Sequence, residues 1–136
     1  MAEYLHWDPG IRVGIEEIDL EHQTFVLLIN QLDRQRNNPQ MAPRLLQALA
    51  KYATFHFQSE ENLMYANGYP LFEEHWKLHL ELLEHLNNIL LRFHGGKIDS
   101  TEMLQFLKDW YCHHTAHEDM KFAEYLKLQG QTQIIC

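Results

Sequence analysis

The stretch LFEEHWKLHLELLEHLNNILLRF, residues 71–93, repeats at intervals of three and four: His75, His79, Leu82, Leu86, Ile89 and Phe93 fall on one line. An α-helix turns once in 3.6 residues, so that line is one face of a helix, and its apolar members must be buried against other elements. Two of the six are histidines. Residues four apart differ by only about 40° in direction, so the imidazoles of HWKLH, residues 75–79, project side by side toward whatever the leucines pack on.

Chain breaks bound this segment on both sides, with Asn67-Gly68 and Pro70 before it and Gly95-Gly96 after it. The same periodicity recurs beyond those breaks. A first helix is expected over about Glu16–Gln35, with Ile18, His22, Phe25, Ile29 and Leu32 in line. A second is expected over about Pro43–Ala66, with Pro43 at the first helical position and a stripe of Leu45, Leu49, Tyr52, His56, Glu60 and Leu63. A fourth starts near Ser100 and carries Met103, Leu107, Trp110 and His114, and a short tail, Phe122–Leu128, continues it after a bend. Pro9, Gly10 and Gly14 punctuate an extended N-terminal arm. Four amphipathic helices with short connections predict an all-α fold, an antiparallel up-down-up-down four-helix bundle, as one domain over residues 1–136.

Composition narrows the function classes. The chain has 136 residues, 46% of them hydrophobic, with 11 Lys+Arg against 19 Asp+Glu and a formal net charge of −8. An acidic chain is a poor partner for nucleic acid or an anionic membrane surface, both of which need a basic patch. No run approaches the roughly twenty apolar residues of a membrane span, and MAEYLHWDPG has no secretory-signal pattern. Cys112 and Cys136 form no CxxC and no framework, so a reduced, cytoplasmic setting is expected. The outlier is histidine, 10 of 136 residues.

Those histidines are not scattered. His22, His56, His75 and His79 all lie on inward stripes, as does Glu60. One buried histidine is ordinarily a hydrogen-bonded core residue. Several of them with a carboxylate, on three stripes at similar heights, are hard to satisfy among themselves, and an unpaired buried carboxylate costs several kcal/mol. A cation between them satisfies all at once. Imidazole and carboxylate donors suit iron, zinc, manganese or copper. The donors are too many for one tetrahedral ion, which points to two ions sharing carboxylates. His6, His85 and His94 read as surface residues. In CHHTAHED, residues 112–119, His113 continues a wet face, whereas His114 and His117 both lie near the Trp110 stripe, and periodicity does not choose between them.

Four stretches together, VGIEEIDLEHQ, HFQSEENLM, HWKLH and WYCHHTAHEDMKF, resemble the motifs of the hemerythrin family, over Trp7 to about Leu126. The resemblance implies a non-haem di-iron centre held by five histidines and two bridging carboxylates. One iron would take His75, His79 and His114, the other His22 and His56, with Glu60 and Asp119 bridging. The family spacing of tryptophan, histidine and aspartate selects Trp110, His114 and Asp119. Five residues from His114 to Asp119 is not a regular helical spacing, so a bend or bulge is expected there. Trp110, Tyr111 and Thr115 are the expected lining of an oxygen pocket. Thr115 stands where the family commonly has a bulky aliphatic, and Phe122 where it often has a tyrosine.

What the resemblance implies is reversible dioxygen binding by a carrier, a store or a supplier to an oxygen-using enzyme, in a monomer that is not itself an enzyme. The alternatives are a di-iron enzyme acting on peroxide or nitric oxide, and an oxygen or redox sensor. A sensor usually has an attached signalling domain, and none is evident in these residues.

Overall fold

The architecture comes from a computed structural model that describes Leu5 and residues 13–128, with residues 115–117 described in backbone only. His6, Pro9, Gly10, Cys136 and the side chains of Thr115 and His117 therefore lie outside the described residues. Five α-helices follow in order: α1 (Glu16–Arg34), α2 (Met41–Ala66), α3 (Phe72–His94), α4 (Ser100–His113) and α5 (Met120–Leu128). A π-helical turn, His114–Asp119, joins the last two without a break. No strand occurs among the described residues. Each of α1 to α4 packs on its neighbour in sequence and α4 returns to α1, so the four close into an antiparallel bundle.

Local chemistry sets the helix ends. Asp99 and Glu102 form a capping box at the start of α4, with the Glu102 N–H donating to Asp99 Oδ1 at 2.8 Å. Helix α2 begins two residues earlier than Pro43 suggests. The Asn38 side-chain oxygen accepts from the N–H groups of Gln40 and Met41, each at 3.0 Å, and so starts the helix at Met41. Pro43 then sits in the first turn, where its missing N–H has no intrahelical partner to lose. Gly68 (φ 63°) and Gly96 (φ 71°) end α2 and α3 in the left-handed conformation. The residue after each closes the turn: Tyr69 N–H donates to Met64 O at 3.0 Å and Lys97 N–H to Arg92 O at 2.8 Å.

Two apolar clusters fill the bundle. The larger joins Phe25, Ile29 and Leu32 of α1 to Leu46, Leu49, Ala53 and Phe57 of α2, Leu86 of α3, and Met103, Leu107 and Trp110 of α4. The smaller joins Val13, Ile15 and Ile18 to Met64, Tyr69, Phe122 and Leu126. A polar layer separates them. Along α1, His22 falls between Ile18 and Phe25; along α2, Glu60 falls between Phe57 and Met64; along the last helix, His114 and Asp119 fall between Trp110 and Phe122.

Two buried polar residues of α1 tie down the chain that precedes it. Asn30 exchanges bonds with Leu5, accepting from its N–H at 2.8 Å and donating to its carbonyl at 2.7 Å. Asp19 accepts from the N–H groups of Val13 at 2.7 Å and Gly14 at 3.1 Å. Gly14 takes φ 95°, which a side chain would resist. Among the described residues no helix is long and apolar enough to cross a membrane.

Candidate metal centre

Seven side chains converge in the polar layer: His22 from α1, His56 and Glu60 from α2, His75 and His79 from α3, and His114 and Asp119 from the π turn. All are buried. The π turn brings the last pair together. In a regular α-helix, five residues leave two side chains about 140° apart; the wider i→i+5 turn swings Asp119 back to the face of His114, and their Nε2 and Oδ1 atoms stand 2.9 Å apart.

The two carboxylates divide the imidazoles into two groups. Glu60 Oε1 lies 3.0 Å from His79 Nε2, 3.3 Å from His75 Nε2 and 3.6 Å from His114 Nε2. Its other oxygen faces His56 Nε2 at 3.6 Å and His22 Nε2 at 4.0 Å. Asp119 does the same, with Oδ1 toward His114 at 2.9 Å and His75 at 3.4 Å, and Oδ2 toward His22 at 2.9 Å. Each carboxylate thus gives one oxygen to each group. Glu60, His75, His79 and His114 form one set with metal-binding spacing, and His22, His56, Glu60 and Asp119 another.

Glu60 Oε1 is hydrogen-bonded to His75 Nε2 and His79 Nε2, but most of the other atoms are close without being bonded to one another. His22 Nε2, His56 Nε2, His114 Nε2, Glu60 Oε2 and both Asp119 oxygens are buried with no hydrogen-bond partner, although nitrogen and oxygen stand as near as 2.9 Å. Lone pairs that approach but miss each other are aimed at a common point. Around an ion with bonds of about 2.1 Å and right-angled ligands, neighbouring donor atoms stand about 3 Å apart, close to the shorter separations here. Unpartnered buried polar atoms are rare and costly. Five imidazole nitrogens and two carboxylates are also a donor set that first-row transition ions accept. The residues fit a two-ion site.

Without ions the cluster is a network of opposed charges. Burial disfavours a charged His75, but the contacts and charges of Asp119 and Glu60 outweigh it and push the imidazole up to about 9. Burial likewise opposes a charged His114, and Asp119 and Glu60 raise it to about 10. His22 is raised by the same carboxylates against its burial. Burial pushes the Glu60 and Asp119 carboxyls up, and the Asp119 charge adds to this for Glu60, yet the surrounding imidazoles prevail and hold both well below the usual carboxylate range. In the metal-free cluster His75 and His114 are therefore protonated, and Glu60 and Asp119 are ionised.

Beside the His22 and His56 rings lies a small cavity of about 10 Å³, lined by those two, His114, Phe25, Phe57, Trp110 and Tyr111. The polar tips of its aromatic wall are turned to backbone carbonyls: Trp110 Nε1–H donates to Leu82 O at 3.2 Å and the Tyr111 hydroxyl to His22 O at 3.4 Å. Trp110 and Tyr111 line this cavity, and the side chain of Thr115 lies outside the described residues. His85, His94 and His113 are exposed.

Several residues at the site gave no periodic signal. Glu21 Oε1 accepts from His56 Nδ1 at 2.6 Å and its Oε2 from Ser59 Oγ at 2.7 Å. Glu61 Oε2 accepts from His79 Nδ1 at 2.7 Å. Phe57 stacks on the His79 ring at 4.0 Å with the planes 9° apart. Glu21, Phe57 and Glu61 each neighbour a site residue in sequence, a helical step of about 100° off the stripe, so only the partner helix reveals their role.

A four-helix bundle with a buried histidine–carboxylate layer between two apolar cores is a cation-binding bundle. Residues 13–126 match the hemerythrin HHE cation binding domain, and the chain belongs to that family. It is 28% identical to a bacteriohemerythrin of Stenotrophomonas maltophilia, over 90% of this chain and 82% of that one. It is equally identical to a bacteriohemerythrin of Methylococcus capsulatus, over 84% of this chain and 88% of that one. A wild-type hemerythrin crystal structure superposes with TM-score 0.81 at 25% identity, over 89% of this chain and 96% of the other.

Proposed function

We propose that this protein binds dioxygen reversibly at a non-haem di-iron centre and is not an enzyme. In this reading His75, His79 and His114 hold one iron, His22 and His56 hold the other, and Glu60 and Asp119 bridge them. When bound, two ferrous ions supply the two electrons that dioxygen takes up and returns.

The observation that carries the reading is the cavity. It is lined by both imidazoles of the two-histidine group and by His114 of the other. The two-histidine group has two imidazoles against three, with one oxygen of each carboxylate on either side, and so the greater room for an exogenous ligand. Its volume has room for about a single water molecule, which suits a diatomic molecule and excludes a larger substrate. Besides the three imidazoles, its lining is aromatic: Phe25, Phe57, Trp110 and Tyr111. Turnover of peroxide or nitric oxide needs a proton donor aimed at the ligand, and the hydroxyl and indole N–H of this wall are engaged elsewhere.

The test is the visible spectrum of the anaerobically reduced, iron-loaded chain. A band that appears on admitting oxygen and disappears on removing it supports reversible binding. Irreversible bleaching to a ferric spectrum, with peroxide released, would replace the carrier by an oxidase.

A further inference from the structure

The two carboxylates behind the site are arranged in a pattern. Glu21 immediately precedes His22, but its bond is to His56 on α2. Glu61 immediately follows Glu60, but its bond is to His79 on α3. Each acid is thus chain neighbour to one site residue and hydrogen-bond partner to another on the next helix. Two such bonds lock α1 to α2 and α2 to α3 at the level of the site. Each group of imidazoles receives one of them, His56 in the two-histidine group and His79 in the three-histidine group. For His22 and His114, by contrast, Nδ1 is buried and unpartnered.

A carboxylate on Nδ1 does two things to an imidazole. It settles the tautomer, placing the proton on Nδ1 and the lone pair on Nε2, and it makes that lone pair a stronger donor by opposing the positive charge that builds up on the ring. Glu21 is itself steadied, because its second oxygen accepts from Ser59, three residues after His56 on the same face of α2. Both acids are largely enclosed, 14% exposed for Glu21 and 13% for Glu61, so solvent screens these bonds only in part.

We propose that Glu21, braced by Ser59, and Glu61 are positioning residues that each strengthen one iron of the pair: Glu21 the iron on His22 and His56, through His56, and Glu61 the iron on His75, His79 and His114, through His79. This rests on the di-iron reading. Of the three remaining histidines, His22 and His114 hold their irons without such a bond, so the two backed imidazoles set the relative firmness of the two ions. Loss of an outer-shell partner of this kind typically weakens metal binding 10–100-fold.

The test uses the iron-loaded full chain with Glu21→Gln, Glu61→Gln and Ser59→Ala. Iron retained against a graded chelator, and the midpoint potential of the centre, are read on the same preparations. Wild type should hold two irons. Each Gln variant should release one of the two about 10–100-fold more readily while retaining the other, and its potential should rise, because a negative charge that favours the ferric ions is gone. Ser59→Ala keeps the charge, so it should loosen one iron by less and leave the potential in place. Wild-type retention and potential in both Gln variants would overturn the proposal, and so would equal loosening of both irons by either one, the mark of a general lesion in the bundle. A wild-type chain that takes up fewer than two irons would overturn the di-iron reading and this inference with it.

Discussion

His113 and His114 are adjacent in sequence and opposite in environment. His114 is buried with Nε2 against Asp119, whereas His113 lies on the exposed face of α4. Replacing His114 by alanine removes a donor and leaves Asp119 and Glu60 facing one another with less compensation, so His114→Ala is expected to lose at least one iron per chain. His113→Ala should keep two. Metal analysis of the purified variants decides, and a full iron complement in His114→Ala would remove it from the ligand set. Periodicity alone leaves His114 and His117 level, because both lie near the Trp110 stripe. Spacing patterns count residues at a constant angle, and that angle changes in the residues just after His114.

At the scale of elements, the π turn is a one-residue slip in helical phase. The buried stripe of α4, Met103, Leu107 and Trp110, reaches His114 at regular spacing, and a new stripe, Asp119, Phe122, Ala123 and Leu126, starts five residues on. Removing Ala116 would rejoin the stripes at a spacing of four, on one face of a continuous α-helix. That deletion is expected to leave helicity and the core intact but to shift Asp119 along the axis by about 1.5 Å and weaken metal binding. Adding an alanine after Ala116 instead rotates Phe122 and Leu126 out of the core by about 100°. It should cost at least about 3 kcal/mol and abolish the centre. Circular dichroism melts with metal content separate the two, and equal damage from both would show that the slip itself is not what aligns the stripes. The start of α4 offers a control. Asp99→Ala removes the capping box at a cost of about 1 kcal/mol, seen as a melting temperature lower by a few degrees. Iron content should not change, because the cap is about 20 Å along the helix from His114.

At the scale of the whole molecule, the site links stability to pH, and does so differently with and without metal. In the metal-free chain His75 and His114 are raised from 6.5 to about 9 and about 10. Groups raised on folding stabilise fully below their unfolded value and lose that contribution as pH rises through the folded one. Glu60 and Asp119 are lowered, so their contribution is present above the ordinary carboxylate range and disappears in acid. The metal-free protein should therefore be most stable between about pH 5 and 6.5 and weaken from there toward pH 10. Metal binding displaces those protons, so the extra stability conferred by metal should grow over the same interval. Paired thermal melts from pH 5 to 10, with and without chelator, test this. A metal-free melting temperature that rises from pH 6.5 to 9 would contradict the proton placement described here.

The bundle and most of the convergent layer were legible in the amino-acid pattern. Apolar residues at intervals of three and four define inward faces, and His22, His56, Glu60, His75 and His79 could be read as inward because each helix presents one face to the core. Tertiary structure alone decided the contacts that cross between helices. Helix α2 buries Phe57 and Met64 more deeply than Tyr52 and Leu63 of its expected stripe, because the rotation of a helix about its axis is set by what its neighbours supply. Asp19 and Asn30 are buried because they bond the backbone of the preceding chain, not because they continue a pattern. Glu21 and Glu61 reach the site only through His56 and His79 on the next helix. Local periodicity records which way a side chain points from its own axis; which atom it meets depends on another axis, and no spacing within one helix encodes that.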